Sequence, residues 1–573
     1  MPLSKISLKP GVNREGTRYT NEGGWYDCDK IRFRQSTPEK IGGWTRISEA
    51  TFSGVCRSLW NWVTLGKQNL IGVGTHLKFY VENVGAYNDV TPIRATLTLG
   101  SNPFVTASGS ATVTVTDAAL GYVTGDYVTF SGASAVGGLT IDGEYALTRT
   151  VTSAANTYTI TASSSASSTA TGGGGSVSAA YQINIGSPFA VPIEGWGASA
   201  WGQGAWGVGE SSTTPIRFWS QSNFGEDLIF GHDNGSIYYW DATNGVGTRG
   251  VLLSSLTDAS DVPTVQNIIL VSDINRFVFC LGTNPIGSST LDPTLLRWSD
   301  QESAINWTPS ATNQAGSLRL SRGTKIVAAS QARQEVLVWT DSSLYSLQYA
   351  GAPIVWTASI VGENISISSQ NAVAYANGIA YWMGKDKFYK YDGRTQPLQC
   401  DVRKYVFNDF NTAQYTQVFA GTNESFHEVW WFYCSDSATN IDKYVIYNYL
   451  ENIWYFGTLA RTAWLDSGLR DSPLAATYSY NLVDHEDGID DNQGSSAAAI
   501  TAYAVSSEFD LDDGHKYMFV SRVIPDISFD GSTADNPVAT LTLSPLANPG
   551  AGYTSPTSTG GVNNATVTRT ATS

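Results

Sequence analysis

Charge is scarce in this 573-residue sequence: Asp, Glu, Lys and Arg make up 15%, against about 25% in ordinary globular domains. Methionine (3) and histidine (5) are rare as well. The strong helix formers are thin, and no segment carries an apolar 3.6-residue period beyond two turns, which argues against helical layers. No long apolar run exists, and the longest purely aliphatic one is Ile268 to Val271, so no transmembrane helix is expected. The start, Met1-Pro2-Leu3-Ser4-Lys5, leads into no apolar signal core. Five scattered cysteines (Cys28, Cys56, Cys280, Cys400, Cys434) form no Cys-x-x-Cys pair, so neither a disulfide framework nor a zinc site is indicated. They read as small buried hydrophobes in a protein folded in a reducing cytoplasm. A basic excess is missing too. The net charge of −16 argues against general affinity for nucleic-acid backbones, whose phosphates need neutralising Lys and Arg.

What is abundant is glycine (56) and aromatics, with 18 Trp, 29 Tyr and 21 Phe. With β-branched residues these suit strands and turns, so the fold class is all-β. The length exceeds the ~250–300 residues at which one hydrophobic core stops growing, which favours several domains or a repeat fold.

A repeated hairpin appears once apolar runs and turn clusters are marked. Leu228-Ile229-Phe230 turns into Ile237-Tyr238-Tyr239-Trp240, and Val336-Leu337-Val338-Trp339 turns into Leu344-Tyr345-Ser346-Leu347. Ile379-Ala380-Tyr381-Trp382 precedes Phe388-Tyr389-Lys390-Tyr391, and Val429-Trp430-Trp431-Phe432 precedes Tyr444-Val445-Ile446-Tyr447. An earlier copy runs from Leu70-Ile71-Gly72-Val73 into Leu77-Lys78-Phe79-Tyr80. Starts near 228, 277, 336, 379 and 429 give intervals of 49, 59, 43 and 50 residues, the spacing of propeller blades. Six or seven blades are expected.

Residues 96–180 break this pattern. They are rich in Ser, Thr, Ala and Gly, alternate strictly at Ala111-Thr112-Val113-Thr114-Val115, and end in Gly172-Gly173-Gly174-Gly175. That is read as an inserted small β-domain ending in a flexible hinge. The expected organisation is therefore 1–95 (N-terminal segment and first propeller strands), 96–180 (insert), 181–519 (β-propeller) and 520–573 (a C-terminal β segment). That last segment alternates at Val538 to Leu543 without an obvious closing strand.

No motif carries chemistry in a convincing context. Gly202-Gln203-Gly204-Ala205-Trp206-Gly207 matches a Gly-x-Gly-x-x-Gly pattern, but Ser-Thr-Thr-Pro follows it where a helix is required. His76, His232, His427, His485 and His515 are well separated, with His76 and His232 in turns where solvation is expected. Asp484-His485-Glu486-Asp487-Gly488-Ile489-Asp490-Asp491 lacks calcium-loop spacing and reads as a solvated acidic loop. Asp300 and Glu302 lie close in sequence, which says little about a facing carboxylate pair. Trp196-Gly197, Trp201-Gly202 and Trp206-Gly207 read as a loop pinned by indoles, with a carbohydrate platform as the alternative. No catalytic, metal or cofactor-binding residue is assigned, and no enzyme is expected.

The segments Lys5 to Asn13, Trp25-Tyr26-Asp27-Cys28-Asp29-Lys30-Ile31-Arg32-Phe33-Arg34, Pro38-Glu39-Lys40-Ile41-Gly42-Gly43-Trp44, Asp89 to Arg94 and Leu296-Arg297-Trp298-Ser299-Asp300 share a character. With the Trp-Gly series, they resemble the tail-nozzle (tail hub or stabilisation) proteins of short-tailed bacteriophages. Within the insert, Gly125-Asp126-Tyr127-Val128-Thr129-Phe130-Ser131-Gly132, Gly143-Glu144-Tyr145 and Tyr158-Thr159-Ile160 resemble a small β-module common in phage tail proteins. That module is similar to the first half-domain beside the catalytic cysteine of ubiquitin-activating enzymes. The insert has no cysteine, so only the fold is implied.

The resemblance implies a virion subunit, assembled in the host cytoplasm, in a homo-oligomeric ring of six below the portal and its adaptor. Its partners would be the tail adaptor, tail fibres or a needle, and the host cell surface. Genomic DNA would pass through the lumen without specific binding. A glycan-binding or glycan-cleaving tail protein on a propeller frame is the alternative, and a secreted cell-surface propeller a third reading.

Overall fold

The computed structural model describes residues 5–117, 121–149, 157–190, 216–510, 524, 526–532, 537–544 and the strand 565–570. The protein is all-β, with seven four-stranded or larger sheets that are the blades of a β-propeller. Two compact units share them: residues 48–370 with 476–481, and residues 1–47, 371–475 and 482–573. The first holds blade 1 (Cys56 to Asp89), blade 2 (Trp219 to Leu252), blade 3 (Gln266 to Arg319) and blade 4 (Ile326 to Glu363). The second holds blade 5 (Val373 to Leu398), blade 6 (Phe419 to Thr458) and the larger blade 7.

Within each of blades 1–6 the four strands pair antiparallel in chain order. The repeated hairpins of the sequence are the second and third strands of their blades: Asp227–His232 with Tyr238–Trp240, Val336–Thr340 with Ser343–Gly351, Glu428–Tyr433 with Lys443–Asn448. These middle strands are covered on both faces. Every residue of Val336–Thr340 and Glu428–Tyr433 is buried, which is why they read as continuous apolar runs. The burial is aromatic-rich in blade 6, where Trp430, Trp431 and Trp454 are each at most 2% exposed.

Blade 7 is assembled from distant chain. Its strand order is Ala463–Leu465, Leu474–Ala476, Leu482–His485, Trp44–Arg46, Asp490–Asn492 and Ala498–Ala499. Trp44–Arg46 pairs antiparallel with Leu482–His485 and parallel with Asp490–Asn492. An N-terminal strand thus sits inside the last blade, where it pairs on both edges and leaves none open to another chain.

The insert is an eight-stranded sheet running from Ile93–Thr98 to Ser178–Gln182. It encloses its own core, with Phe104, Val113, Val115, Val128, Phe130, Leu147, Tyr158 and Ile160 each at most 1% exposed. The glycine run at its end is not a hinge. Ala170–Gly172 pairs with Phe104–Thr106, and a Cβ on Gly173 (φ +115°) would meet the Phe104 ring at 2.5 Å. The small residues there let the backbone turn against that ring. The C-terminal segment also differs from the sequence reading, since Val538–Leu543 has an antiparallel partner in Ala565–Thr570.

Candidate functional site

The strand Ile31–Arg34 places the Arg32 side chain inside the protein, 1% exposed, where an unpaired charge would be costly. Two carboxylates meet it. Arg32 Nε donates to Glu428 Oε1 at 2.9 Å and Nη2 to Glu428 Oε2 at 3.0 Å, a bidentate pair. Arg32 Nη1 and Nη2 donate to Glu486 Oε2 and Oε1 at 2.8 and 2.6 Å. Glu428, at the head of a blade 6 strand and 0% exposed, also accepts from Trp430 Nε1 at 2.8 Å and Tyr455 Oη at 2.6 Å. Asn423 Nδ2 adds a bond to Glu486 at 3.0 Å. The Phe426 ring lies 3.6 Å from the guanidinium.

Burial pushes the Glu428 carboxyl above its usual range, against the pull of Arg32. Burial also opposes charge on Arg32, yet Glu428 and Glu486 together hold its pKa above the ordinary value. Outside the cluster opens a cleft of about 220 Å³ lined by Arg34, Gln35, Phe426, His427, Leu450 and Glu451. Chemically the cluster is a staple. Both carboxylates share one guanidinium and the acceptors of Glu428 are filled, so neither is positioned as a free general acid or base. It binds the N-terminal strand to blade 6 and to the blade 7 loop.

His485, expected in a solvated acidic loop, is 2% exposed and accepts from Arg461 Nε at 2.9 Å. Its neighbour Glu486 is the staple carboxylate, so this loop is built into blade 7 rather than wholly solvated. His76 and His232 are likewise half-buried rather than solvated. His76 Nδ1 accepts from the Val55 backbone N–H at 2.8 Å, and His232 Nδ1 lies 2.8 Å from the Asp233 carbonyl. Burial lowers their pKa values to about 4 and about 3.

His427 is near Tyr449 at the cleft rim, with 3.4 Å between Nδ1 and Oη. Asp300 accepts the backbone N–H groups of Gln301 and Gln314, while Glu302 is exposed. All five cysteines are buried and unpaired with one another. The Gly202 to Gly207 pattern, the Trp196, Trp201 and Trp206 series and His515 lie outside the described residues. Among the described residues no cluster of three His, Cys, Asp or Glu is arranged to hold a metal ion, and no helix is long and apolar enough to cross a membrane.

Sequence reasoning missed the staple because its members lie 396 and 454 residues apart. A signal was present all the same: Glu428 directly precedes the apolar run Val429-Trp430-Trp431-Phe432, where a lone carboxylate needs a buried partner.

No protein-family model matches the chain, and no curated protein matches it. Among solved structures, Hsv2 of the yeast Kluyveromyces marxianus is 8% identical, covering 50% of this chain and 80% of its own, with a TM-score of 0.29. The apocarotenoid oxygenase of Synechocystis is also 8% identical, covering 52% and 75% with a TM-score of 0.28. The endosialidase of phage phi92 is 10% identical over 98% and 87%, with a TM-score of 0.19. Likenesses at this level carry no activity over to this chain.

Proposed function

We propose that the chain is a non-enzymatic virion protein forming the distal ring, or nozzle, of a short phage tail. In this reading six copies complete the DNA conduit below portal and adaptor, retain the genome and take part in its ejection. The observation that carries the proposal is where the resembling segments lie. Trp25 to Arg34 and Pro38 to Trp44 supply Arg32 of the staple and lead into the strand that closes blade 7. The likeness to tail-nozzle proteins thus falls on residues that build the frame, as expected of a relationship in architecture. The net charge of −16 favours a lumen wall that repels phosphates. The staple carboxylates, both engaged by Arg32, are not themselves a free acid and base for the glycan-cleaving alternative.

Mass photometry of the purified protein, alone and with portal and adaptor, followed by cryo-microscopy, tests this. A discrete ring that joins the adaptor is expected. A stable monomer that joins neither overturns the reading, and new reducing ends from host-surface polysaccharide would establish the alternative instead.

A further inference from the structure

The inserted sheet leaves blade 1 just after Asp89 and returns through Gln182 to Gly186. Its hydrophobic core contains no blade residue. The core joining blades 1 and 2 is a separate one, built from Leu70, Phe79, Val81, Trp219, Leu228, Phe230 and their neighbours. The crossing residues Val90 and Ile183 pack into that blade core, whereas the insert's own strands meet the blades through polar and charged groups.

Lys78, with its side chain 7% exposed, donates to Asp89 Oδ2 at 2.9 Å and to Glu144 Oε1. Arg249, two residues before the last strand of blade 2, has Nη2 at 3.2 Å from Asp89 and 3.5 Å from Glu144. Its Nη1 donates to the Thr91 carbonyl at 2.8 Å. Gln182 Nε2 donates to Glu144 Oε2 at 2.5 Å. Lys78 and Asp89 belong to blade 1 and Arg249 to blade 2, whereas Glu144 lies in the insert strand Gly143–Arg149. Two cations and two carboxylates balance, and one of the carboxylates is carried by the insert. Where the insert rejoins the blade, the pairing of Ser178–Gln182 with Ile93–Thr98 shifts register between Tyr181 and Gln182, a local bend in the ladder.

We propose that Glu144, gripped by Lys78 and Arg249, is an electrostatic latch that fixes the direction of the insert against blades 1 and 2, with the two crossing segments as the hinge it locks. Without the Glu144 charge, Lys78 and Arg249 are left with Asp89 alone, a carboxylate of their own blades. The insert then keeps no ion pair to either cation and is freer to swing, while each core stays closed. This inference concerns the single chain and stands apart from the tail reading.

The buried native cysteines allow selective labelling at new sites. Spin labels at Ser164→Cys in the insert and Thr257→Cys beyond blade 2, both exposed positions, report the distance between the two parts by pulsed electron resonance. The parent is expected to give one narrow distribution. Glu144→Lys, which adds a third cation, is expected to lose it to a broad or shifted one, and Glu144→Gln to lose it in part. A narrow, unshifted distribution in folded Glu144→Lys overturns the latch. If Glu144→Lys does not fold, Glu144→Gln decides by the same readout.

Discussion

At the scale of single residues, the energetics concentrate where charge has been taken out of water. Arg32 and Glu428 are 1% and 0% exposed, and each is tolerable only because the other is present. Removing the charge of Glu428 leaves Arg32 with Glu486 alone and strands the Trp430 and Tyr455 donors on a weaker acceptor. Glu428→Gln is therefore expected to cost about 3–5 kcal/mol, the usual penalty for breaking a buried pair from one side. Urea unfolding followed by tryptophan fluorescence measures it, and a loss under about 1 kcal/mol, the usual value of an exposed pair, would show the staple to be dispensable. Exposed pairs such as Arg322 with Glu363, 4.0 Å apart and more than half exposed on both sides, belong to that weaker class.

At the scale of elements, the sequence was legible where a strand is buried on both faces and opaque where it is not. The middle strands of blades 1–6 announced themselves as apolar, aromatic runs flanked by turn residues. Outer strands such as Val355–Glu363, with five of nine residues half-buried or better, alternate too weakly to be read. Blade 7 was hidden for another reason: its strands are three or four residues long or shorter, and one arrives from Trp44–Arg46. No local period can report a partner some 440 residues away. The staple was hidden likewise, although Glu428 marked one half of it. The glycine run at 172–175 misled because composition alone does not separate a linker from a tight turn against a ring.

The closing strand also makes its own prediction. A Cβ on Gly43 would sit 2.4 Å from the Asp490 carbonyl oxygen and 2.6 Å from its amide nitrogen, both rigid backbone atoms. Gly43→Val should push Trp44–Arg46 out of register with Asp490–Asn492 and cost about 1–3 kcal/mol or more, as overpacking does. Gly100→Ala, with nothing within 4 Å of its Cβ, is the matched control. Equal melting temperatures for the two variants would show that the strand closes blade 7 loosely.

At the scale of the whole molecule, sparse charge has a consequence for acid stability. With charged residues only 15% of the chain, the neutral histidines withdrawn from water stand out in the pH dependence. Burial lowers the pKa of His485 well below its ordinary value, that of His76 to about 4 and that of His232 to about 3. The unfolded chain protonates these rings near pH 6.5, whereas the folded chain does not, so the unfolded state binds more protons as the pH falls. Stability is therefore lost on acidification from about pH 6.5 toward the folded values, by about 1.4 kcal/mol per pH unit for each such ring. The acids whose pKa burial raises, Asp126, Asp233 and Glu428, act with the opposite sign as the pH falls through their own folded values. A comparison isolates the histidine share. Urea midpoints at pH 7 and pH 5 should show a larger loss for the parent than for His232→Gln, whose amide takes up no proton. An unchanged loss in that variant would mean that His232 is already charged in the folded protein, against its burial and the positive potential of nearby Arg217.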